Sequence, residues 1–155
     1  MLEPGQEAPE FELPNQDGDP VSLSEFEGQR VVLYFYPRAD TRGCTIEAKG
    51  FRDNMEAYEA ADVAVLGISN DPVEDIADFA EKYDLEFDLL SDEDGSVAEA
   101  YESFGTIEME GETHDIAYRN TFVIGPDGRI EVVYEGVDPG DHPEELLADL
   151  GADAA

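Results

Sequence analysis

The chain holds a single cysteine, Cys44, and the residues around it are of the types that turn a thiol into a nucleophile. The thiolate is the attacking species, and it is stabilised by nearby cations and by the backbone N–H groups of a helix N-terminus. Of the eight lysines and arginines, four (Arg38, Arg42, Lys49 and Arg52) fall between positions 38 and 52, where the acids are only Asp40 and Glu47. That window carries a net charge of +2 in a chain of formal net charge -32. The run 31–36 is apolar or aromatic throughout and reads as a strand covered on both faces; Pro37, lacking an N–H, ends it. Thr41 or Gly43 then supplies a cap for a helix predicted over about 44–58, with Ile46, Phe51, Met55 and Tyr58 on one face. Cys44 falls in the first helical turn, where free backbone N–H groups favour negative charge. A lone cysteine is otherwise a small buried hydrophobe, a reading that the helix start and the cations outweigh.

Other cysteine chemistries are poorly supplied. A hydrolase needs a histidine to activate the thiol; the two present, His114 in a predicted loop and His142 just before the last helix, are expected at the surface. Disulfide exchange through Cys-x-x-Cys needs a second cysteine, and Thr45, Ile46 and Glu47 follow instead. One cysteine, two distant histidines and scattered acids show no metal-ligand spacing, so no metal and no cofactor is expected. A binder carrying an inert thiol is the remaining alternative of a different class.

The spacing Pro37-x-x-x-Thr41-x-x-Cys44, set between a strand and a helix, resembles the peroxidatic-cysteine signature of the peroxiredoxins. Phe35-Tyr36-Pro37, Cys44-Thr45-Ile46-Glu47-Ala48 and Gly50-Phe51-Arg52-Asp53 are similar, more narrowly, to the bacterioferritin-comigratory or PrxQ-like subgroup. The opening Gly5-Gln6-x-Ala8-Pro9-x-Phe11-x-Leu13, with Asp17-Gly18 and Val21-Ser22-Leu23, resembles the family's first hairpin. The resemblance implies a thiol peroxidase in which Cys44 attacks a hydroperoxide and becomes a sulfenic acid. It implies that Thr41 and the backbone N–H groups near Gly43 and Cys44 hold the peroxide oxygens, that Pro37 shields the sulfur, that Arg119 stabilises thiolate and transition state, and that Glu47 orients an arginine. Two positions depart from the pattern. Lys49 stands where many members of the subgroup carry a resolving cysteine, so the expected type is one-cysteine, its sulfenic acid reduced by an external thiol such as thioredoxin or a small thiol, by a mixed disulfide, or by a second chain's Cys44. Arg42 replaces the usual proline, exchanging a rigid turn residue for a cation.

The 155 residues suit one domain spanning the chain. No run reaches the 18 or so apolar residues of a membrane span, and Met1-Leu2-Glu3-Pro4-Gly5 lacks the features of a signal peptide, so a soluble cytoplasmic protein is expected, as monomer or homodimer. Forty acids against eight bases exclude nucleic acid and anionic membrane as partners. Such self-repulsion is relieved by salt, and the composition resembles that of proteins from salt-accumulating halophiles, with halophilic archaea the expected source.

The supporting elements read as an N-terminal hairpin across a turn at 15–19, a second buried strand over 63–69, and a helix capped by Asp71 and begun by Pro72 with Val73, Ile76, Ala77, Ala80 and Tyr83 as its stripe. A short strand over 87–90, a helix over 96–104, a loop over 105–118, a hairpin of 121–125 with 130–134, and a closing helix over 143–150 follow. Strands alternating with helices predict parallel pairing. The fold class expected is α/β, thioredoxin-like, with a central mixed sheet flanked by helices.

Overall fold

Alternation along the strands sorts the apolar residues into two layers, one on each side of a central sheet. The computed structural model describes residues 3–36, 42–85, 87–101, 103–109, 111–117, 120–134, 142 and 146, with the backbone alone at 42, 43, 104–109 and 112–117. Strands β1 (Glu12–Pro14) and β2 (Pro20–Ser22) pair antiparallel. In the turn between them Asn15 Oδ1 accepts the N–H groups of Asp17 and Asp19, the local bond that makes asparagine a turn former. There follow β3 (Arg30–Phe35), α1 (Arg42–Asp53), α2 (Met55–Ala60), β4 (Val63–Ser69), α3 (Val73–Tyr83), β5 (Asp88–Ser91), α4 (Ser96–Ala100), β6 (Phe104–Met109), β7 (Glu112–Ala117), β8 (Thr121–Ile124) and β9 (Ile130–Tyr134).

Five strands form one mixed sheet in the order β5-β4-β3-β8-β9. β3 and β5 run parallel to β4, and β8 runs antiparallel to β3 and β9. Parallel neighbours cannot be joined by a hairpin, and α1 with α2, then α3, provide the crossovers. Val32, Tyr34 and Tyr36, with Val63, Val65, Leu89 and Val123, face Cys44, Ala48 and Phe51 of α1 and Ile76 and Phe79 of α3. The alternate residues Val31, Leu33 and Phe35, with Leu66, Ile68, Phe122 and Ile124, are covered by Phe11, Val21 and Leu23 from the N-terminal segment and by Val97 and Tyr101. Tyr34 stands opposite Gly67 across the β3–β4 ladder. A Cβ at Gly67 would lie 2.8 Å from the Tyr34 ring, so the missing side chain is what lets that ring lie flat and stack on Phe51 at 4.6 Å.

Several elements differ from the sequence expectation. The helix predicted over 44–58 begins earlier, at Arg42, and is broken at Asn54 into α1 and α2. Asn54 Nδ2 donates to the Gly50 carbonyl at 2.8 Å, a side-chain bond that competes with the helical ladder. Ile46, expected on the apolar face, is exposed, and the buried face is Cys44, Glu47, Ala48 and Phe51. Asp71 does not cap α3; Pro72 holds the N-cap position, and Asp71 Oδ2 accepts the Ser69 hydroxyl at 2.8 Å instead. The helix expected over 96–104 stops at Ala100, because the Ser103 N–H folds back to the Ala98 carbonyl and the Tyr101 hydroxyl is anchored on the Pro9 carbonyl at 2.6 Å. The loop expected over 105–118 is the β6–β7 hairpin, with Ile107 opposite His114 and Gly111 at a φ of +81° in its turn. Of the closing helix, His142 and Leu146 are described; both are helical and buried.

Candidate active site

Two ladder bonds fix the point at which the chain leaves the sheet towards Cys44. The Phe35 N–H donates to the Asn120 carbonyl at 2.8 Å and the Tyr36 N–H to the Ile68 carbonyl at 3.0 Å. The C-terminal end of β3 is thus held from both sides, Phe35 by Asn120 and Tyr36 by Ile68. Six residues further on α1 begins, with Cys44 as its third residue. The N–H groups of the first four helical residues have no acceptor within their own helix, so the cysteine sits among backbone donors that take partners from outside it. Cys44 packs into the cluster on the sheet face and is 1% exposed; Glu47, nearly one turn further on the same face, is 0% exposed. The first turn of α1 contains no acid, and Glu47 stands in the second turn rather than the first.

The ends of the two central strands surround this face with polar groups. Ser69, at the end of β4, lies on the same side of the sheet as Tyr36; its hydroxyl donates to Asp71 Oδ2, and the Ser91 hydroxyl donates to the Asp71 carbonyl at 2.6 Å. Asn70 Nδ2 donates to the Asp92 carbonyl at 3.0 Å, tying the β4–α3 turn to the segment after β5. Burial pushes the Tyr36 phenol far above its ordinary pKa, the Ser69 hydroxyl pulls it partly back, and Asp71, Cys44 and Glu47 push it further up. The phenol remains a proton-bearing donor at any working pH. Among the described residues its oxygen makes no hydrogen bond of acceptable geometry; the proton of the nearby Ser69 hydroxyl goes to Asp71.

Of the residues expected at the site, Cys44 and Glu47 are brought together on one buried face. Pro37, Thr41 and Arg119 lie outside the described residues. Asn120, the residue after Arg119, is buried against the end of β3. Two members of the cation cluster are placed elsewhere than expected. Lys49 is exposed with its Nζ 5.8 Å from the centre of the Tyr83 ring, and Arg52, about 12 Å along the axis from Cys44, bonds to Asp53 and to the Tyr83 carbonyl. His142, expected at the surface, is 3% exposed and has Nε2 3.0 Å from Thr121 Oγ1, with the Phe51 and Tyr134 rings against it.

Sequence reasoning missed Tyr36, Ser69 and Asp71 as neighbours of the cysteine. Period two along β3 and β4 could have found the first two, since Tyr34 and Tyr36, and Gly67 and Ser69, share the face that carries α1.

A mixed sheet of this order, with the cysteine helix entered from its central strand, is the thioredoxin-like α/β fold in its peroxiredoxin form. The crystal structure of peroxidoxin BcpB from Mycobacterium tuberculosis superposes with a TM-score of 0.87 at 36% identity, covering 100% of each chain. Bacterioferritin comigratory protein of Xanthomonas campestris superposes with a TM-score of 0.88 at 28% identity, covering 97% of this chain and 98% of that one. Peroxiredoxin Bcp of Escherichia coli K12 is 47% identical over 146 residues, 94% of either chain. The model of the AhpC/TSA family matches residues 4–133, and the chain belongs to that family, within its Bcp/PrxQ peroxiredoxins. Peroxiredoxins are thiol peroxidases, and the chain is an oxidoreductase of that class.

Proposed function

We propose that the chain reduces hydrogen peroxide and organic hydroperoxides through Cys44 by a one-cysteine cycle. The observation that carries this reading is the placement of the chain's sole cysteine in the first turn of α1, against the end of the central strand. The Cys44 thiolate attacks the terminal peroxide oxygen; an S–O bond forms, the O–O bond breaks, and the departing oxygen leaves as water or alcohol after taking a proton. The product is a sulfenic acid. Charge builds on the departing oxygen, and donors preorganised towards it lower the barrier. Thr41 and the amides near Gly43 and Cys44 fill that part, with the Arg119 guanidinium holding the thiolate and the transition state. Pro37 shields the sulfur, and Glu47, buried on the cysteine face, orients an arginine. The alkyl peroxide reduction activity that concerns the Xanthomonas campestris structures belongs to that protein, and it supports the choice of organic hydroperoxides as substrates here.

No second cysteine is present, so an external thiol, thioredoxin or a small thiol, reduces the sulfenic acid through a mixed disulfide. The working form is a monomer or homodimer in the reducing cytoplasm of a halophile, the source that the net charge of -32 favours. Dimedone trapping after one equivalent of hydrogen peroxide tests the cycle. Rapid labelling at Cys44 alone is expected, with peroxide consumption abolished by Cys44→Ser; consumption at the wild-type rate in that variant would refute the assignment.

A further inference from the structure

The segment that enters β8 is tied down by side chains on both of its faces. The ladder between β3 and β8 ends at the pair Tyr34 and Thr121, and one further backbone bond, from the Phe35 N–H to the Asn120 carbonyl at 2.8 Å, reaches beyond it. Thr121 lies on the side of the sheet that carries α1, with its Oγ1 3.0 Å from His142 Nε2. Asn120 turns to the opposite side, where its Nδ2 donates to Ser103 Oγ at 3.1 Å. The Ser103 hydroxyl donates in turn to the Tyr101 carbonyl at 3.1 Å, and the Tyr101 ring packs against Phe35 and Phe122. A carbonyl only accepts, so the Ser103 proton points at Tyr101 and its oxygen takes the Asn120 amide as donor. Asn120 is 4% exposed and Ser103 0%. A buried amide and hydroxyl are costly unless each is partnered, whereas an apolar pair would fill the same space without that requirement.

We propose that Asn120, held by Ser103, is a positioning residue for peroxide reduction: it fixes the backbone from which Arg119 acts on Cys44. The proposal rests on the peroxidase reading above and on the part given there to Arg119, the residue joined to the Asn120 nitrogen. The bond through the Asn120 carbonyl pins one point and leaves the residue free to swing about it. The side-chain bond, made on another face, removes that rotation, so the direction of the chain at Asn120 is set relative to the end of β3. From that same end the chain departs for α1 and Cys44. Such fixing matters because a misplacement of about 1 Å at the reacting groups can cost on the order of a hundredfold in rate. The amide itself stands on the side of the sheet that Tyr101 covers, away from α1, so it acts through its neighbour and not on the peroxide. Gln16 offers a comparison. Its side-chain amide bonds to the Phe87 carbonyl at 3.2 Å and to the Leu89 N–H at 3.0 Å, a clamp of the same chemistry on β5, at the other end of the sheet from β8 and β9.

The test is a double-mutant cycle with two readouts: the thiolate absorbance titration of the reduced protein, and the second-order rate of hydrogen peroxide reduction at a pH where the thiol is fully ionised. Urea unfolding of the same preparations gives their stability. Asn120→Ala is expected to raise the midpoint of the Cys44 titration and to lower the rate about tenfold, and Ser103→Ala, the milder change, to move both the same way. Added to Arg119→Ala, Asn120→Ala is expected to change neither readout further, since it acts through that arginine. Gln16→Ala loses stability and keeps both readouts. In Asn120→Leu/Ser103→Ala both buried polar groups are gone, so stability recovers while midpoint and rate stay those of Asn120→Ala. An unchanged midpoint or rate in Asn120→Ala and Ser103→Ala overturns the positioning role, as do losses that add in the cycle, rates that follow stability across the set, or an equal change in Gln16→Ala. Dimedone labelling of the wild type separates the two readings. No adduct at Cys44 overturns the peroxidase and the positioning role together, whereas an adduct with unchanged variants overturns the positioning role alone.

Discussion

The Tyr36 hydroxyl is buried within electrostatic reach of Cys44, Glu47 and Asp71 and makes no hydrogen bond of acceptable geometry among the described residues. A buried donor left unsatisfied costs about 1–3 kcal/mol relative to one that is paired, and phenylalanine would fill the same space without that cost. Its ring already has apolar and aromatic neighbours, Tyr34 at 5.5 Å and Phe79 at 6.2 Å, so packing alone does not call for the oxygen. Tyr36→Phe is accordingly expected to raise the stability to urea by about 1 kcal/mol and to lower the rate of peroxide reduction, because the oxygen lost belongs to a hydroxyl that is electrostatically coupled to Cys44. Equilibrium unfolding and peroxide kinetics on one preparation check both signs. A loss of stability with unchanged kinetics would make the hydroxyl a structural group.

The β3–β4 pair turns on one glycine. Tyr34, stacked on Phe51 of α1, crosses Gly67 so closely that a methyl group there would meet ring carbon and oxygen at 2.8 and 2.9 Å. The backbone of Gly67 lies in a regular ladder, so the strain of Gly67→Ala is steric and falls on the ring that supports the cysteine helix. The expected cost is about 1–3 kcal/mol, the usual range for overpacking, read as a lower denaturation midpoint. Elements of this kind show what the sequence made legible. The β3 and β4 strands, the parallel order and the 121–134 hairpin followed from apolar runs bounded by turn residues, which are local signals. Ile46 was misplaced because an apolar residue was assumed to face inward, whereas Glu47 is buried there and Ile46 stands out. The β6–β7 hairpin was missed because Thr106, Glu108, Glu112, Thr113 and Asp115 hide any apolar alternation, and its pairing is written only in the register. His142 was misjudged because its burial depends on Thr121, Tyr134 and Phe51, which come from distant parts of the chain. At the site, Cys44 could be placed in its helical turn from spacing, while the Tyr36, Ser69 and Asp71 surround arises from the pairing of separate strands.

At the scale of the whole molecule, charge sets the conditions under which the fold persists. Forty acids leave a net charge of -32, and compaction brings them closer together. Two of them are disfavoured as anions beyond this average. Burial holds the Asp92 carboxyl above its ordinary 3.8, although the N–H groups of Val97 and Ala98 pull it back. Burial likewise raises Asp88, with a hydrogen bond from Asn15 opposing and the charges of Asp17 and Glu25 adding to the rise. Between 3.8, where the unfolded chain titrates, and these raised folded values, the native state binds more protons than the unfolded one. Stability therefore falls as pH rises through that window, and the penalty is complete above it. Asp94, lowered by the Ser96 N–H, acts in the opposite sense, but only below 3.8. Thermal unfolding is thus expected to shift to higher temperature as the pH is brought down through the raised values towards 3.8, the reverse of ordinary acid destabilisation. Added salt at pH 7 is expected to act in the same direction through screening. Asp92→Asn keeps a carbonyl acceptor at the start of α4 and removes the ionisation, so the slope of melting temperature against pH should flatten while the salt response persists. A melting temperature that falls steadily from pH 7 downwards would show that paired carboxylates, rather than mutual repulsion and the burial of Asp88 and Asp92, control the stability of the chain.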